Sequence, residues 1–312
     1  MRRLVLGLLA LAACPAPAEP DIAASTTTAA STTTAASSTT DTTTGTTGAP
    51  TGEPTDGSTG DPCAIDERTA IDRPDDVEGP QVHVVFARTI DQRDRGLDLD
   101  GTLATSVAVW NTWLADQTGG QALRLDTCGG ELDVTYLELQ HSQSHVAAQD
   151  PYIRNLLEDE LAAAGAIADN KLYAVYYDGA STYSCGGGAW PPLIVGRVAA
   201  LYLRGEVPGS PPCLQPFAAE GEPPGYLEFA MLHEILHTLG LAATCAPHTD
   251  NYGHTNDTPQ DLLYSGPEPW YPDSLDPDHD DYYGHQNPDC PDLARSALLE
   301  PPPRSPELPV GW

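Results

Sequence analysis

Residues 25–60 cannot contribute to a folded core, and they limit what the rest of the chain can form. This segment holds 16 Thr, 5 Ser, 5 Gly and 5 Ala, but no aromatic residue and no Ile, Leu or Val. It cannot bury enough apolar surface to offset the conformational entropy lost on ordering. We therefore predict a disordered tether over residues 14–62. Residues 63–312 remain as one folded domain, which is long enough for one sizeable core.

The first 13 residues are predicted to be an export signal. Arg2 and Arg3 precede an apolar run over residues 4–11, which is too short to span a bilayer as a helix. The run ends in Leu-Ala-Ala-Cys14, which resembles the lipobox of bacterial lipoproteins. The resemblance implies lipidation of Cys14 and an exported protein of the cell envelope. Pro15 is not the aspartate typical of inner-membrane retention, which favours the outer membrane or cell surface. An ordinary secretory signal with an incidental cysteine is the alternative.

The charge balance excludes some classes of partner. The chain has 45 Asp and Glu against 14 Lys and Arg, a formal net charge of −31. Such a surface repels polyphosphate, so we expect no nucleic-acid partner, and contact with a membrane only through the lipid anchor. No Lys or Arg lies between Arg204 and Arg295. A solvated acidic face explains this stretch most simply, and calcium binding or attraction of basic substrates are alternatives. We expect the protein to be a monomer.

Six cysteines follow Cys14, at positions 63, 128, 185, 213, 245 and 290. In an exported domain, an even number of widely spaced cysteines predicts up to three disulfides, whose pairing the sequence does not determine. The chain contains no CxxC pair, which argues against a cysteine-based zinc or redox site.

The hydrophobic pattern predicts a domain that contains both helices and strands. Amphipathic spacing predicts helices over residues 102–117 and 152–164. Strands are predicted over residues 81–88, 122–126, 132–140 and 171–178, with one or two more over 193–203. The Gly/Pro-rich residues 184–192 and 208–224 are predicted to be loops. After Gly240 little periodicity remains, which indicates a loop-rich part held by disulfides or metal.

Residues 225–240 contain the pattern His233-Glu234-x-x-His237. Residues four apart lie on one face of a helix, so both imidazoles can bind the same ion. Gly240 stands where a left-handed residue would end that helix. Glu234 points away from the ligand face, as a carboxylate that takes a proton from zinc-bound water must. The pattern predicts a Zn²⁺ site with His233 and His237 as ligands and Glu234 as the general base.

This pattern resembles the zincin metallopeptidases, and among them the metzincins, whose longer motif is HExxHxxGxxH followed by a methionine-containing turn. The resemblance implies an α+β fold with a twisted mixed sheet and an active-site helix, here followed by a loop-rich, disulfide-stabilised C-terminal part. Two positions depart from the family pattern. Ala243 occupies the position of the third histidine, and Leu263 that of the methionine, which leucine replaces with little change in volume.

Residues 254–264 are similar to the third histidine and the turn of matrixins. On this resemblance, an insertion over residues 242–252, which a disulfide at Cys245 would pin, displaces the third zinc ligand to His254. Gly253 before it permits a close approach of the backbone. The alternatives for the third ligand are His248, inside the insertion, and the carboxylates of Asp250 and Asp257.

Two further features concern the site. Residues 273–285 hold five aspartates, and alternating carboxylates suit a hard cation such as Ca²⁺, although the spacing is not that of an EF-hand. Calcium is therefore an alternative to a solvated acidic loop. Some metzincins use a tyrosine to donate a hydrogen bond to the developing oxyanion. The candidates are Tyr264, Tyr282 and Tyr283, and we predict Tyr264 as the catalytic one.

Together these features predict an exported zinc-dependent endopeptidase that acts on a protein or peptide substrate. The strand before the zinc helix, taken as residues 198–203, is expected to bind the substrate by edge pairing. Two alternatives remain. The domain could be a surface binding module with a structural zinc helix, although a structural site needs no base, or a zinc hydrolase of a non-peptide substrate.

Overall fold

The computed structural model describes residues 63–64, 68–208, 212–250 and 252–312. The predicted export signal, Cys14 and the tether over residues 14–62 lie outside the described residues. The described residues contain four α-helices: α1 (Thr102–Gln117), α2 (Gln143–Ala147), α3 (Ile153–Ala163) and α4 (Tyr226–Thr238). They also contain nine strands: β1 (Gln81–Thr89), β2 (Ala122–Leu123), β3 (Thr127–Cys128), β4 (Glu131–Leu132), β5 (Val134–Leu139), β6 (Lys171–Tyr177), β7 (Gly186–Trp190), β8 (Ile194–Tyr202) and β9 (Leu299–Glu300).

The main sheet has five strands in the order β5-β1-β6-β8-β7. The first four strands are parallel to one another. Strand β7 pairs antiparallel with β8 and forms one edge of the sheet. The domain is therefore mixed α+β with a mixed sheet, which confirms the predicted class. Strands β1 and β6 are almost wholly buried, as expected where helices cover both faces of a parallel sheet.

Alternate residues of each strand face opposite layers of the core. In β1, Val84 and Phe86 pack with α1 and α4, whereas Val85 and Ala87 pack with α3. The sheet is thus enclosed between α1 and α4 on one face and α3 on the other. Helix α4, which carries His233, Glu234 and His237, contacts β8 and β7 and so lies beside one edge of the sheet.

Two predictions about this edge are wrong. Residues 184–192 contain strand β7 rather than a loop, because tertiary pairing with β8 overrides the low strand propensity of glycine. Residues 198–203 do not form an edge strand: β8 lies between β6 and β7 and is paired on both sides. The edge strand beside α4 is β7.

Three disulfides join Cys63 to Cys128, Cys185 to Cys213, and Cys245 to Cys290. The Cys245–Cys290 bond ties residues 242–252, the predicted insertion, to the C-terminal part of the chain. That part is loop-rich as predicted, since its described residues contain one short strand, β9, and one 3-10 turn, Leu293–Arg295. Within the described ranges, no helix combines the length and the apolar character needed to cross a bilayer.

Candidate metal centre

Helix α4 carries the first two histidines of the centre. It begins after Gly225, whose backbone N–H donates to Glu228 Oε2 at 3.0 Å, so the helix start is held by a capping contact. One turn separates His233 from His237, and both are buried against the core. Their Nε2 atoms lie 2.9 Å apart. The helical spacing therefore brings both ring nitrogens to one point, as the sequence predicts.

The loop after α4 supplies a third histidine. Gly240 adopts a left-handed φ of 79° and ends the helix, as predicted, and the chain then returns toward it. The Nε2 atom of His254 lies 3.2 Å from that of His237. The three imidazoles form a buried group whose ligand atoms lie within 4.8 Å of one another, which makes it a group that could hold a metal ion.

The protonation states of two of these histidines suit a metal. Burial, together with the neighbouring imidazole of His254, lowers the pKa of His233 to about 3. Burial and the two neighbouring imidazoles lower the pKa of His237 well below its ordinary value. Neutral imidazole is the form that binds metal, so this environment favours ligation over protonation.

A hydrogen bond orients the ring of His233, and a carboxylate lies beside the ring of His254. Nδ1 of His233 lies 2.7 Å from the carbonyl oxygen of Leu262 and donates to it, which leaves Nε2 of that ring free as a lone-pair donor. Nδ1 of His254 lies 3.4 Å from Oδ2 of Asp250, and the His254 backbone N–H donates to Oδ1 of the same residue at 3.2 Å. Burial alone would raise the pKa of Asp250, but the interaction with His254 outweighs it and lowers that pKa.

The structure separates His248 from the three-histidine group. Its Nδ1 lies 3.0 Å from Oδ2 of Asp281, and its backbone N–H donates to Oδ1 of the same carboxylate. His248 instead belongs to a second potential metal group, with Asp257 and Asp281. Two carboxylates were also predicted as alternative third ligands. Asp257 is exposed and belongs to that second group, whereas Asp250 contacts Nδ1 of His254.

The side chain of Glu234 extends from α4 toward the edge strand β7. The residue is 5% exposed, and burial raises the pKa of its carboxyl group to about 8. A Cβ atom on Gly186 would lie 2.7 Å from Oε1 of Glu234, and one on Gly188 would lie 2.5 Å from the Glu234 carbonyl oxygen. Helix α4 can approach β7 this closely only because these two strand positions have no side chain.

A small cavity is lined by both Glu234 and His233. Its lining residues come from β7, α4 and the later loops: Cys185, Gly186, Tyr226, Ala230, His233, Glu234, Tyr264 and Trp270. Tyr264 is thus the one predicted tyrosine in this lining. The hydroxyl of Tyr282 donates to Asp261 Oδ1 at 2.8 Å, and that of Tyr283 donates to the Thr118 carbonyl oxygen at 3.1 Å.

Sequence reasoning missed Trp270. Its ring packs edge-on against His233, with centroids 5.7 Å apart, and its Nε1–H donates to the Leu262 carbonyl oxygen at 3.2 Å. This carbonyl also accepts the bond from His233, so Trp270 helps fix the group that orients a potential ligand. No spacing rule points to a lone tryptophan in a proline-rich loop. Leu263, which the sequence resemblance aligned with a methionine, is fully buried in the core.

Comparison with known proteins adds little to this description. No protein-family model matches the chain, and no curated protein matches it. One solved structure, described as "Structure of a chaperone-substrate complex", aligns with 14% sequence identity and a TM-score of 0.29. The alignment covers 65% of this chain and 32% of that one. A likeness this weak informs neither fold nor function.

Proposed function

We propose that the domain is a zinc-dependent endopeptidase related to the metzincins. One observation carries the proposal: the Nε2 atoms of His233, His237 and His254 meet at one buried point, and Glu234 lines the cavity beside it. Three neutral protein ligands and an accessible fourth position are typical of catalytic zinc, whereas structural zinc sites have four protein ligands.

The donor set fits zinc. The three imidazole nitrogens are ligands that zinc prefers, and the hydrogen bond from His233 to Leu262, with Asp250 Oδ2 3.4 Å from Nδ1 of His254, supplies the second-sphere support typical of such sites. When bound, zinc supplies a Lewis acid that polarises the scissile carbonyl group and makes water more acidic.

Glu234 is proposed as the general base. It accepts a proton from the attacking water and passes it to the leaving amine nitrogen. Burial raises the pKa of this carboxyl group above its ordinary value, which makes the carboxylate a stronger proton acceptor. We infer that Tyr264, which lines the same cavity, donates a hydrogen bond to the oxygen that becomes negatively charged.

The edge of the sheet supports a peptide substrate. Within the described part of the chain, strand β7 pairs only with β8, and Glu234 packs against it. An extended peptide that paired with the free side of β7 would form main-chain hydrogen bonds and lie beside the histidine group. This role was expected for residues 198–203, but β8 is paired on both sides, so we propose it for β7 instead. Main-chain pairing favours a peptide bond as the substrate over a small non-peptide ester or amide.

The proposal is tested by zinc analysis and a casein or gelatin digest, with and without a chelator. Glu234→Gln should retain one zinc per chain but lose hydrolysis by roughly 100-fold or more, because it removes the base and spares the ligands. Glu220→Gln, a change at an exposed glutamate before α4, is the matched control and should keep full activity. Zinc with no proteolysis in the unaltered protein would favour a binding module, and full activity in Glu234→Gln would refute the mechanism.

We also propose that the domain is displayed at the cell envelope by a lipid on Cys14. The support is the lipobox-like sequence at residues 11–14, followed by a segment suited to a flexible tether. Cys14→Ser should move the protein from the membrane fraction to a soluble one. An unaltered protein found wholly in the soluble fraction would refute the anchor.

A further inference from the structure

Three buried aspartates meet on the C-terminal side of the metal centre. Asp261, Asp276 and Asp281 are 0%, 1% and 1% exposed, and one carboxylate oxygen of each lies within 4.8 Å of the others. Carboxylates are almost never fully buried unless a partner compensates their charge. The cluster is separate from the three histidines and shares none of its residues with them.

One oxygen of this cluster has no partner. Oδ1 of Asp261 accepts hydrogen bonds from the Leu263 backbone N–H at 2.6 Å and from the Tyr282 hydroxyl at 2.8 Å. Oδ2 of Asp261 is buried and has no hydrogen-bond partner within the described part of the chain. Such an atom loses its hydration without compensation, which is costly for a carboxylate.

Backbone groups hold the other two carboxylates in place. Oδ2 of Asp276 accepts the backbone N–H groups of residues 281, 282 and 283 at 3.2, 2.8 and 2.8 Å. Asp281 accepts the backbone N–H of His248 at 2.9 Å, and Nδ1 of that ring lies 3.0 Å from its other oxygen. The imidazole of His248 is the one basic group paired with these three aspartates among the residues that the structure describes. One half-exposed histidine thus lies beside three buried carboxyl groups.

We propose that Asp261, Asp276 and Asp281 bind a calcium ion, with the free Oδ2 of Asp261 as one of its ligands. All three side chains offer oxygen, which hard cations prefer, and oxygen spacings up to 4.8 Å suit Ca²⁺. Main-chain carbonyl oxygens or water would complete the usual six to eight ligands. The site differs from the expectation based on residues 273–285 alone, because Asp261 comes from outside that segment, whereas Asp273 and Asp278 are exposed.

A cation at this position would stabilise the segment that orients His233. Asp261 directly precedes Leu262, whose carbonyl oxygen orients His233, and lies three residues before Tyr264. Asp276 and Asp281 belong to the following loop. Calcium would join this loop to the segment that supports His233, so its loss should loosen that segment without removing a histidine.

Calcium titration tests the site directly. The unaltered protein is freed of calcium by dialysis, with zinc kept saturating, and titrated with CaCl₂ by calorimetry, while its unfolding temperature is followed in parallel. We expect one calcium ion per chain and a higher unfolding temperature in calcium. No heat of binding and no change in unfolding temperature at millimolar CaCl₂ would overturn the proposal.

Two aspartate variants locate the ion. Asp261→Asn should weaken calcium binding by roughly tenfold or more, because affinity in such sites follows the number of charged ligands. It should unfold without calcium at the same temperature as the unaltered protein or higher, since a neutral amide replaces an uncompensated buried charge. Asp278→Asn, at an exposed position of the same acidic segment, should bind calcium normally. Equal affinity in the Asp261 variant would overturn the assignment, and Asp276→Asn replaces it if that variant does not fold.

Discussion

A Cβ atom on Gly253 would lie 2.8 Å from Nδ1 of His237. The same atom would lie 2.7 Å from Nε1 of Trp190, and Gly253 has a φ of +88°. The chain therefore passes between a strand residue and a potential metal ligand at a point where only glycine fits, one residue before His254. This close passage allows His254 to reach the other two histidines.

We expect Gly253→Ala to lower both metal content and stability. The left-handed conformation alone costs a non-glycine residue about 1–2 kcal/mol, and the contacts with His237 and Trp190 add to this. Gly130→Ala is the matched control, because Gly130 has a φ of +84° but no atom within 4 Å of its Cβ position. Metal analysis after dialysis and urea unfolding of both variants measure the difference. Equal losses in the two variants would show that space at Gly253 is not limiting.

His254→Ala should abolish stoichiometric zinc binding, whereas His248→Ala should retain it. The reason is that His254 shares the buried point with His233 and His237, while His248 faces Asp281. Metal content of the folded, dialysed proteins decides between the two. The opposite pattern would make His248 the ligand.

The metal-stripped protein should show a pH-dependent cost from Glu234. Burial raises the pKa of Glu234 in the folded state from 4.5 to about 8. Its contribution to the free energy of unfolding is therefore fully present below pH 4.5, where the carboxyl group is neutral, and is lost as the pH rises through 8 and the buried group ionises. Glutamine is neutral at every pH. Metal-stripped Glu234→Gln should therefore exceed metal-stripped unaltered protein in stability by an amount that grows over this range, on the order of a few kcal/mol. Urea unfolding at several pH values measures it, and a constant difference would contradict the burial argument.

Lys171→Met should destabilise the domain strongly. Lys171, the one lysine of the chain, is 2% exposed, and its Nζ donates to Asp72, Asp75 and Asp126 at 2.6, 2.7 and 2.5 Å. Removing it leaves the fully buried Asp126 with less compensation, and breaking a buried pair in this way costs roughly 3–5 kcal/mol. Arg304→Met, at an exposed position, should change stability little when both are unfolded in urea. Similar stability of the two variants would mean that neighbouring groups compensate Asp126 without the lysine.

Local patterns predicted much of this fold. The amphipathic spacing of residues 102–117 gives helix α1 with the same bounds, and the alternation over residues 81–88 gives β1 to within one residue. The spacing of His233 and His237 predicted their convergence because one helical turn fixes it. These features depend on neighbours in sequence, and such neighbours can be read from one chain.

Features that depend on distant contacts could not be predicted. Three successive glycines have no intrinsic preference for a strand. They form part of β7 only because they pair with β8. Distance along the chain could not separate His254 from His248, since both follow Gly240 closely, and the choice depends on how the loop packs. Asp261 and Asp276 likewise meet only in the folded chain.

The glycines of β7 should be conserved among homologues. Gly186 and Gly188 face Glu234, and a Cβ on Gly187 would lie 2.9 Å from the Tyr202 hydroxyl, so a side chain at any of the three positions displaces a neighbour. Selection should therefore preserve this triplet as strictly as the histidines, although none of its residues takes part in chemistry. The third glycine stands 45 positions before His233. A run of three glycines at that interval, read together with the histidine motif, should identify homologues whose remaining sequence has diverged beyond recognition.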